Sequence, residues 1–280
     1  MITRFAPSPT GPLHLGHAYS ALLAHDMARA AGGTFLLRIE DIDQTRARAH
    51  WEDQIYNDLA WLGIRWDAPP TRQSAHLARY EAALDRLWAR GLLFPCHCNR
   101  RDIAAALSAP QEGVDITYGP DGPVYPGTCR DLPHPTCPRP AGTLRLDVAK
   151  ALDAIGTAAV SFEETGTKPG QYTFDDLTQS IGDIVLSRKD FLGSYHLSVV
   201  LDDAAQGITH VIRGEDLFDA TKIHVLLQRL LGLPTPVYHH HNLIRDENGK
   251  RLAKRDDARA IRKYKDDGLT PAHIRARVRL

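Results

Sequence analysis

The segment RFAPSPTGPLHLGHAYS, Arg4 to Ser20, constrains the fold more than any other stretch of the chain. A short apolar strand, Ile2 to Phe5, runs into PSPTGP, where Pro7, Pro9 and Pro12 bar both a helix and a central strand, so the chain must turn. From about Leu15 to Ala31 the apolar residues Leu22, Leu23, Met27 and Ala30 recur at helical spacing, and Gly32-Gly33 ends the helix. Such a strand–turn–helix start presents unpaired N–H groups and partial positive charge at the head of a helix, a seat for phosphate. Gly11 and Gly16 carry no side chain to obstruct a ligand. The spacing His-x-x-His sets His14 and His17 on one turn, where imidazoles can donate to phosphate oxygens. Read alone, the pattern equally describes a helix cap with two exposed histidines.

The remainder of the first hundred residues repeats the alternation. TFLLRIE is a continuous apolar strand ending in the acids Glu40, Asp41 and Asp43, and helices are expected from about Thr45 to Leu62 and Ser74 to Gly91. This predicts an α/β chain with a doubly wound parallel sheet. From about Phe94 to Asp183 cysteines, prolines and turn dipeptides dominate, as in an insertion with its own short strands. HLSVVLDD and ITHVIRGEDL then signal a return to sheet, followed by a helix over Ala220–Leu231 and a basic, mostly helical tail. Lys+Arg and Asp+Glu are equal at 34 each, so any nucleic-acid surface must come from local clustering. The end of the chain clusters eleven Lys or Arg between Lys250 and Arg279. The basic tail is thus a candidate phosphate contact or a solvated helix face. With no secretion signal and no apolar run of membrane-spanning length, a cytoplasmic location without membrane association is the default reading. The four cysteines are then expected to be reduced.

PSPTGPLHLGH resembles the HIGH signature of class I aminoacyl-tRNA synthetases, and RFAPSPTG resembles its glutamyl-type form. GKRLAKR, Gly249 to Arg255, is similar to the second signature, KMSKS; Arg251 replaces its first Lys and Ala253 its Ser, while Lys254 is kept. The resemblance implies a Rossmann-like fold that binds ATP with Mg²⁺ through Pro7, Gly11, His14, Gly16, His17, Arg251 and Lys254. His14, His17 and Lys254 would stabilise charge developing at the phosphate. It also implies a glutamate pocket. Selecting glutamate asks for a cation facing its side-chain carboxylate and an anion facing its ammonium. Arg4 at the strand end and Glu40 at the sheet rim answer those needs, with Ala6 and Ser8 beside them. GSYHLSVVLDD and THVIRGEDL add Tyr195 and Arg213 by resemblance.

Cys96 and Cys98 stand at i and i+2, on one face of an extended strand, so both sulfurs can reach one ion. Three thiolates with Cys129 and one further donor would close a tetrahedral zinc site. The glutamyl-type insertion, which Cys-x-Cys followed by Tyr-x-x-x-Cys resembles, implies Tyr125 as that donor and one structural Zn²⁺. His97, Tyr118, His134 and Cys137 are rival donors.

The expected division is a split catalytic domain over 1–93 and 184–245, an inserted zinc-bearing α+β subdomain over 94–183, and a signature loop with a short helical tail over 246–280. The resemblance covers only the catalytic half of glutamyl-tRNA synthetases; no anticodon-binding domain is expected. The pattern resembles a truncated branch of the family, and the resemblance implies activation of L-glutamate without tRNA and its attachment to queuosine in the anticodon of tRNA(Asp). The alternative is a catalytic fragment of an ordinary glutamyl-tRNA synthetase. A monomer is the family expectation.

Overall fold

The computed structural model describes residues 1–108, 116–133, 137–189, 193–244 and 259–280. Its first part runs β1 (Ile2–Phe5), α1 (Leu15–Ala30), β2 (Thr34–Ile39), α2 (Ala49–Trp61), β3 (Thr71–Arg72) and α3 (Leu77–Ala89). There follow β4 (Leu93–Pro95), α4 (Arg100–Ser108), β5 (Tyr118–Gly119), β6 (Gly122–Pro123), β7 (Leu144–Leu146), α5 (Val148–Ile155), β8 (Val160–Glu164), β9 (Gly170–Phe174), α6 (Leu177–Ser180) and β10 (Val185–Ser187). The last part comprises α7 (Tyr195–Ala205), β11 (His210–Gly214), α8 (Thr221–Leu231), β12 (Val237–His241), α9 (Ile261–Asp266) and α10 (Pro271–Val278).

β2 pairs in parallel with β1 and β3, and β11 pairs in parallel with β12. Thr209 joins the two groups, donating its N–H to Ile2 O at 3.0 Å, so β1 lies alongside β11. The spatial order is β3-β2-β1-β11-β12. The chain winds outward from β1 and later returns to its other side. This reversal is where doubly wound sheets open a crevice beyond the carboxyl ends of their strands. β8 and β9 continue the sheet past β12. β4, β7 and β10 form a separate antiparallel sheet, and β5 and β6 a small hairpin.

Period-two alternation sorts the two faces of the sheet. Phe35, Leu37 and Ile39 are fully buried on the α1 side, each burial being worth about 1.5–3 kcal/mol. The alanines Ala18, Ala21, Ala24 and Ala28 let α1 approach them closely. The register Arg4↔Leu36 places Arg4, Leu36, Arg38 and Glu40 on the opposite face. Arg213↔His240 does the same for β11 and β12. The second core, which draws on α3, β4, β7, α5, α7 and α8, packs on that face. It spans the stretch expected as an insertion as well as the helices after it.

One expected element differs. HLSVVLDD is the body of helix α7, not a strand. Every residue from His196 to Asp203 is buried, so polarity marks no single face. Its start was nonetheless written in the sequence, because the Ser194 side chain accepts from Leu197 N–H as an N-cap. α2 begins at Ala49 rather than near Thr45, whose hydroxyl is engaged by Asp43 at 2.6 Å. Among the described residues no helix is long and apolar enough to cross a membrane.

Candidate active site

A cavity of about 370 Å³ opens at the strand reversal. The carboxyl ends of β1, β2, β11 and β12 and the first turns of α1 and α7 wall it. Of the residues expected in a site, Arg4, Ala6, His14, Gly16, His17, Glu40, Tyr195 and Arg213 line it. Pro7, Ser8 and Gly11 lie in the adjoining β1–α1 turn and are not on its wall. That turn is stitched to the next loop by Glu40 N–H on Pro7 O and Arg48 N–H on Pro9 O, both 3.0 Å. Arg251 and Lys254 lie outside the described residues. The described residues on either side of them are at the site: Ile244 lines the cavity, and Ala260 bridges to His14.

The two histidines cap α1 reciprocally. His14 Nδ1 accepts from Gly16 N–H at 3.1 Å, and His17 Nδ1 accepts from His14 N–H at 3.2 Å. A neutral ring that accepts at Nδ1 carries its proton on Nε2. The ring centroids lie 3.8 Å apart with the planes tilted by 32°, each ring with Nε2 as a donor. Gly16 permits this closeness, since a Cβ there would lie 3.0 Å from His14 Cε1.

Behind the cavity, Arg4 lays its guanidinium on Asp203, with Nε at 2.9 Å and Nη2 at 3.3 Å. Arg38, fully buried, reaches Asp203 at 2.7 Å and Glu40 at 3.2 Å. Burial would raise the Asp203 carboxyl, but Arg4 and Arg38 outweigh it and hold it below its ordinary value. At Glu40 burial prevails over the same two cations and pushes the carboxyl up. Arg213 is held differently, by His240, His224, Thr221 and the carbonyl of Leu217. None of these partners is a carboxylate. Among the described residues the buried Arg213 guanidinium thus has no carboxylate in hydrogen-bond contact.

Sequence reasoning missed Arg38, Asp203, His224 and His240. A lone Arg inside TFLLRIE and an acid pair closing SVVLDD were the signals available, since charges inside apolar runs need buried partners.

A second cluster lies beyond β4. Cys96, Cys98 and Cys129 bring their sulfurs within 4.8 Å of one another. Cys98 and Cys129 are 3.4 Å apart, and the buried Tyr125 hydroxyl is 3.6 Å from both Cys96 and Cys98. Tetrahedral bonds of about 2.3 Å to sulfur and 2.0 Å to oxygen would separate ligands by roughly 3.5–3.8 Å. Arg145 donates to Cys96 at 3.2 Å and lies over the Tyr125 ring, 3.8 Å from its centroid. Burial alone would raise the Cys129 thiol, yet hydrogen bonds from Tyr125 and its neighbours bring it to about 7. Of the rival donors, His97, Tyr118 and Cys137 are exposed and outside the cluster, and His134 lies outside the described residues.

Comparison with known proteins shows the family of the chain. A chain named glutamyl-Q tRNA(Asp) synthetase from Rhodobacter capsulatus is 61% identical over 98% of both chains. One of the same name from Nocardia farcinica is 41% identical over 98% of this chain and 82% of its own. A solved glutamate tRNA ligase from Elizabethkingia meningosepticum, in complex with its amino acid, superposes with a TM-score of 0.68 at 28% identity, covering 92% of this chain and 52% of that one. The chain thus spans about half the length of the solved glutamate-tRNA ligases it matches. Residues 1–118 and 167–280 match the family described as tRNA synthetases class I (E and Q), catalytic domain. With its Rossmann-like sheet and cavity at the strand reversal, the chain belongs to the class I tRNA synthetases of the E and Q group.

Proposed function

We propose that the chain activates L-glutamate with ATP to glutamyl-adenylate, without tRNA, and transfers the glutamyl group to queuosine in the anticodon of tRNA(Asp). The observation that carries this reading is 61% identity over 98% of both chains with a relative named for that reaction. The site chemistry supports it.

Arg213, which has no carboxylate hydrogen-bond partner among the described residues, offers its positive charge to the side-chain carboxylate of glutamate, and Arg4, whose Nε and Nη2 are taken by Asp203, stands at the same wall. Each charge-assisted hydrogen bond is worth about 1.5–3 kcal/mol. Glu40 receives the ammonium, with Ala6, Ser8 and Tyr195 shaping the remainder. His14 and His17 donate from Nε2 to the phosphates of ATP at the head of α1, beside Pro7, Gly11 and Gly16. Arg251 and Lys254 close on the phosphates from the second signature. The α-carboxylate of glutamate attacks the α-phosphorus and pyrophosphate leaves; Mg²⁺ brought in with ATP would add positive charge at the phosphates. The residues named supply alignment and positive charge, not a covalent nucleophile. A hydroxyl of queuosine then attacks the adenylate carbonyl and expels AMP.

Cys96, Cys98, Cys129 and Tyr125 are proposed to hold one structural Zn²⁺, which would lock the chain after β4 to the segment around Cys129. The division into a catalytic domain over 1–93 and 184–245, an inserted subdomain over 94–183 and a signature loop with tail over 246–280 belongs to the same proposal, as does a monomer.

Glutamate-dependent ATP–pyrophosphate exchange in the absence of tRNA tests the first step. Exchange is expected with glutamate and not with glutamine or aspartate. Exchange that needs tRNA would favour an ordinary glutamyl-tRNA synthetase instead.

A further inference from the structure

The way Arg213 is held fixes the direction of a whole chain of protons. A guanidinium only donates. His224 Nδ1, 3.0 Å from Arg213 Nη1, therefore accepts, and the neutral ring carries its proton on Nε2. That proton points to His196 Nδ1 at 3.0 Å. His196 then carries its own proton on Nε2 and donates to the carboxylate of Asp121, at 2.9 and 3.0 Å. On the other side His240 Nε2 accepts from Arg213 Nε at 3.1 Å and donates from Nδ1 to Glu164.

His224 and His240 stay uncharged. Burial, reinforced by the charge of Arg213, drives His224 far below its ordinary value and His240 down to about 3. A neutral imidazole orients the guanidinium without cancelling it. A carboxylate in the same place would do both, as Asp203 does for Arg4. The relay begins outside the sheet. Asp121 stands at the tip of the β5–β6 hairpin with 57% of its side chain exposed, while His196 and His224 are buried on α7 and α8.

We propose that Asp121, His196 and His224 are positioning residues for Arg213: they fix its fork over the cavity with its charge undiminished, and they make the grip on a carboxylate-bearing substrate depend on the seating of the β5–β6 hairpin. This rests on the reading of the cavity as a glutamate site.

The test is steady-state ATP–pyrophosphate exchange on the whole chain, with ¹⁵N spectra of the histidine rings at about pH 7. His224→Leu removes an acceptor from a buried cation and should raise the KM for glutamate about ten- to a hundredfold. The KM for ATP should stay within about twofold. His224→Asn, whose Oδ1 can stand where Nδ1 stood, should recover most of the loss. Asp121→Ala, at the surface, should raise the glutamate KM severalfold without altering the melting temperature; it carries the kinetic test if His224→Leu does not fold. The spectra should show His196 and His224 as neutral Nε2–H tautomers and His240 as neutral Nδ1–H. Equal rises in both KM values, an asparagine variant no better than leucine, or opposite tautomers would overturn the proposal. A wild-type chain without glutamate-dependent exchange overturns the glutamate reading and the positioning role with it. Active wild type with the wrong tautomers overturns the relay alone.

Discussion

Asp203→Asn would remove one charge from a buried four-membered network without changing its shape. Asp203 accepts three hydrogen bonds, from Arg4 Nε and Nη2 and from Arg38 Nη1, at 2.9, 3.3 and 2.7 Å. In the variant two buried guanidiniums share Glu40 as their nearest counter-charge, and an amide N–H₂ faces N–H donors. Removing one partner of a buried pair costs about 3–5 kcal/mol. For a chain of this size that lowers the melting temperature by roughly 6–20 °C. The sign with pH follows from the depressed carboxyl of Asp203. The native state binds fewer protons there than the unfolded chain, so the stabilisation is full above the unfolded value of about 3.9 and is lost as pH falls through the native one. Urea unfolding of both proteins between pH 7 and pH 3 should show a gap that holds from pH 7 down to about pH 4 and narrows below it. A difference below about 1 kcal/mol at pH 7, or a gap that widens in acid, would refute the network as the support of Arg4.

Purified protein should carry about one zinc per chain; Cys98→Ser should lose most of it, and elemental analysis reads the difference directly. Metal content unchanged in Cys98→Ser would exclude that thiolate as a ligand. Asp58→Asn tests a cost rather than a gain. Burial raises its carboxyl to about 6, and its Oδ2 has no hydrogen-bond partner. The native state thus binds the extra proton between about pH 4 and 6, and stability is lost as pH rises through that window. The asparagine variant should be more stable by roughly 1–3 kcal/mol at pH 7 and equal to wild type near pH 4, by urea titration. Gly16→Ala should leave stability nearly unchanged, because helix propensity gains up to about 1 kcal/mol while the displaced His14 cap loses a similar amount. Its exchange rate should nevertheless fall; an unaltered rate would remove His14 from phosphate binding.

The parts of this fold legible in the sequence are those whose partners are near in the chain. PSPTGP forced the turn, the apolar spacing gave α1 at Leu15–Ala30, and TFLLRIE gave β2. Helix α7 was misread because burial on all sides removes the contrast that distinguishes a period of two from one of 3.6. The support of the site was illegible for a different reason. Arg4 and Asp203 are 199 residues apart and Asp121 and His196 are 75 apart, and no local pattern announces such pairs. Arg38 and Asp203 could be recognised as charges that need buried partners, but only the sheet register puts Arg38 on the face of Arg4, and only the position of α7 brings Asp203 to both.

The transfer of labelled glutamate to defined tRNAs tests the proposed activity most directly. With ATP and this chain, label should enter tRNA(Asp) that contains queuosine, and neither the same tRNA lacking queuosine nor tRNA(Glu) should take it up. Label on tRNA(Glu), or on tRNA(Asp) whether or not queuosine is present, would contradict the assignment.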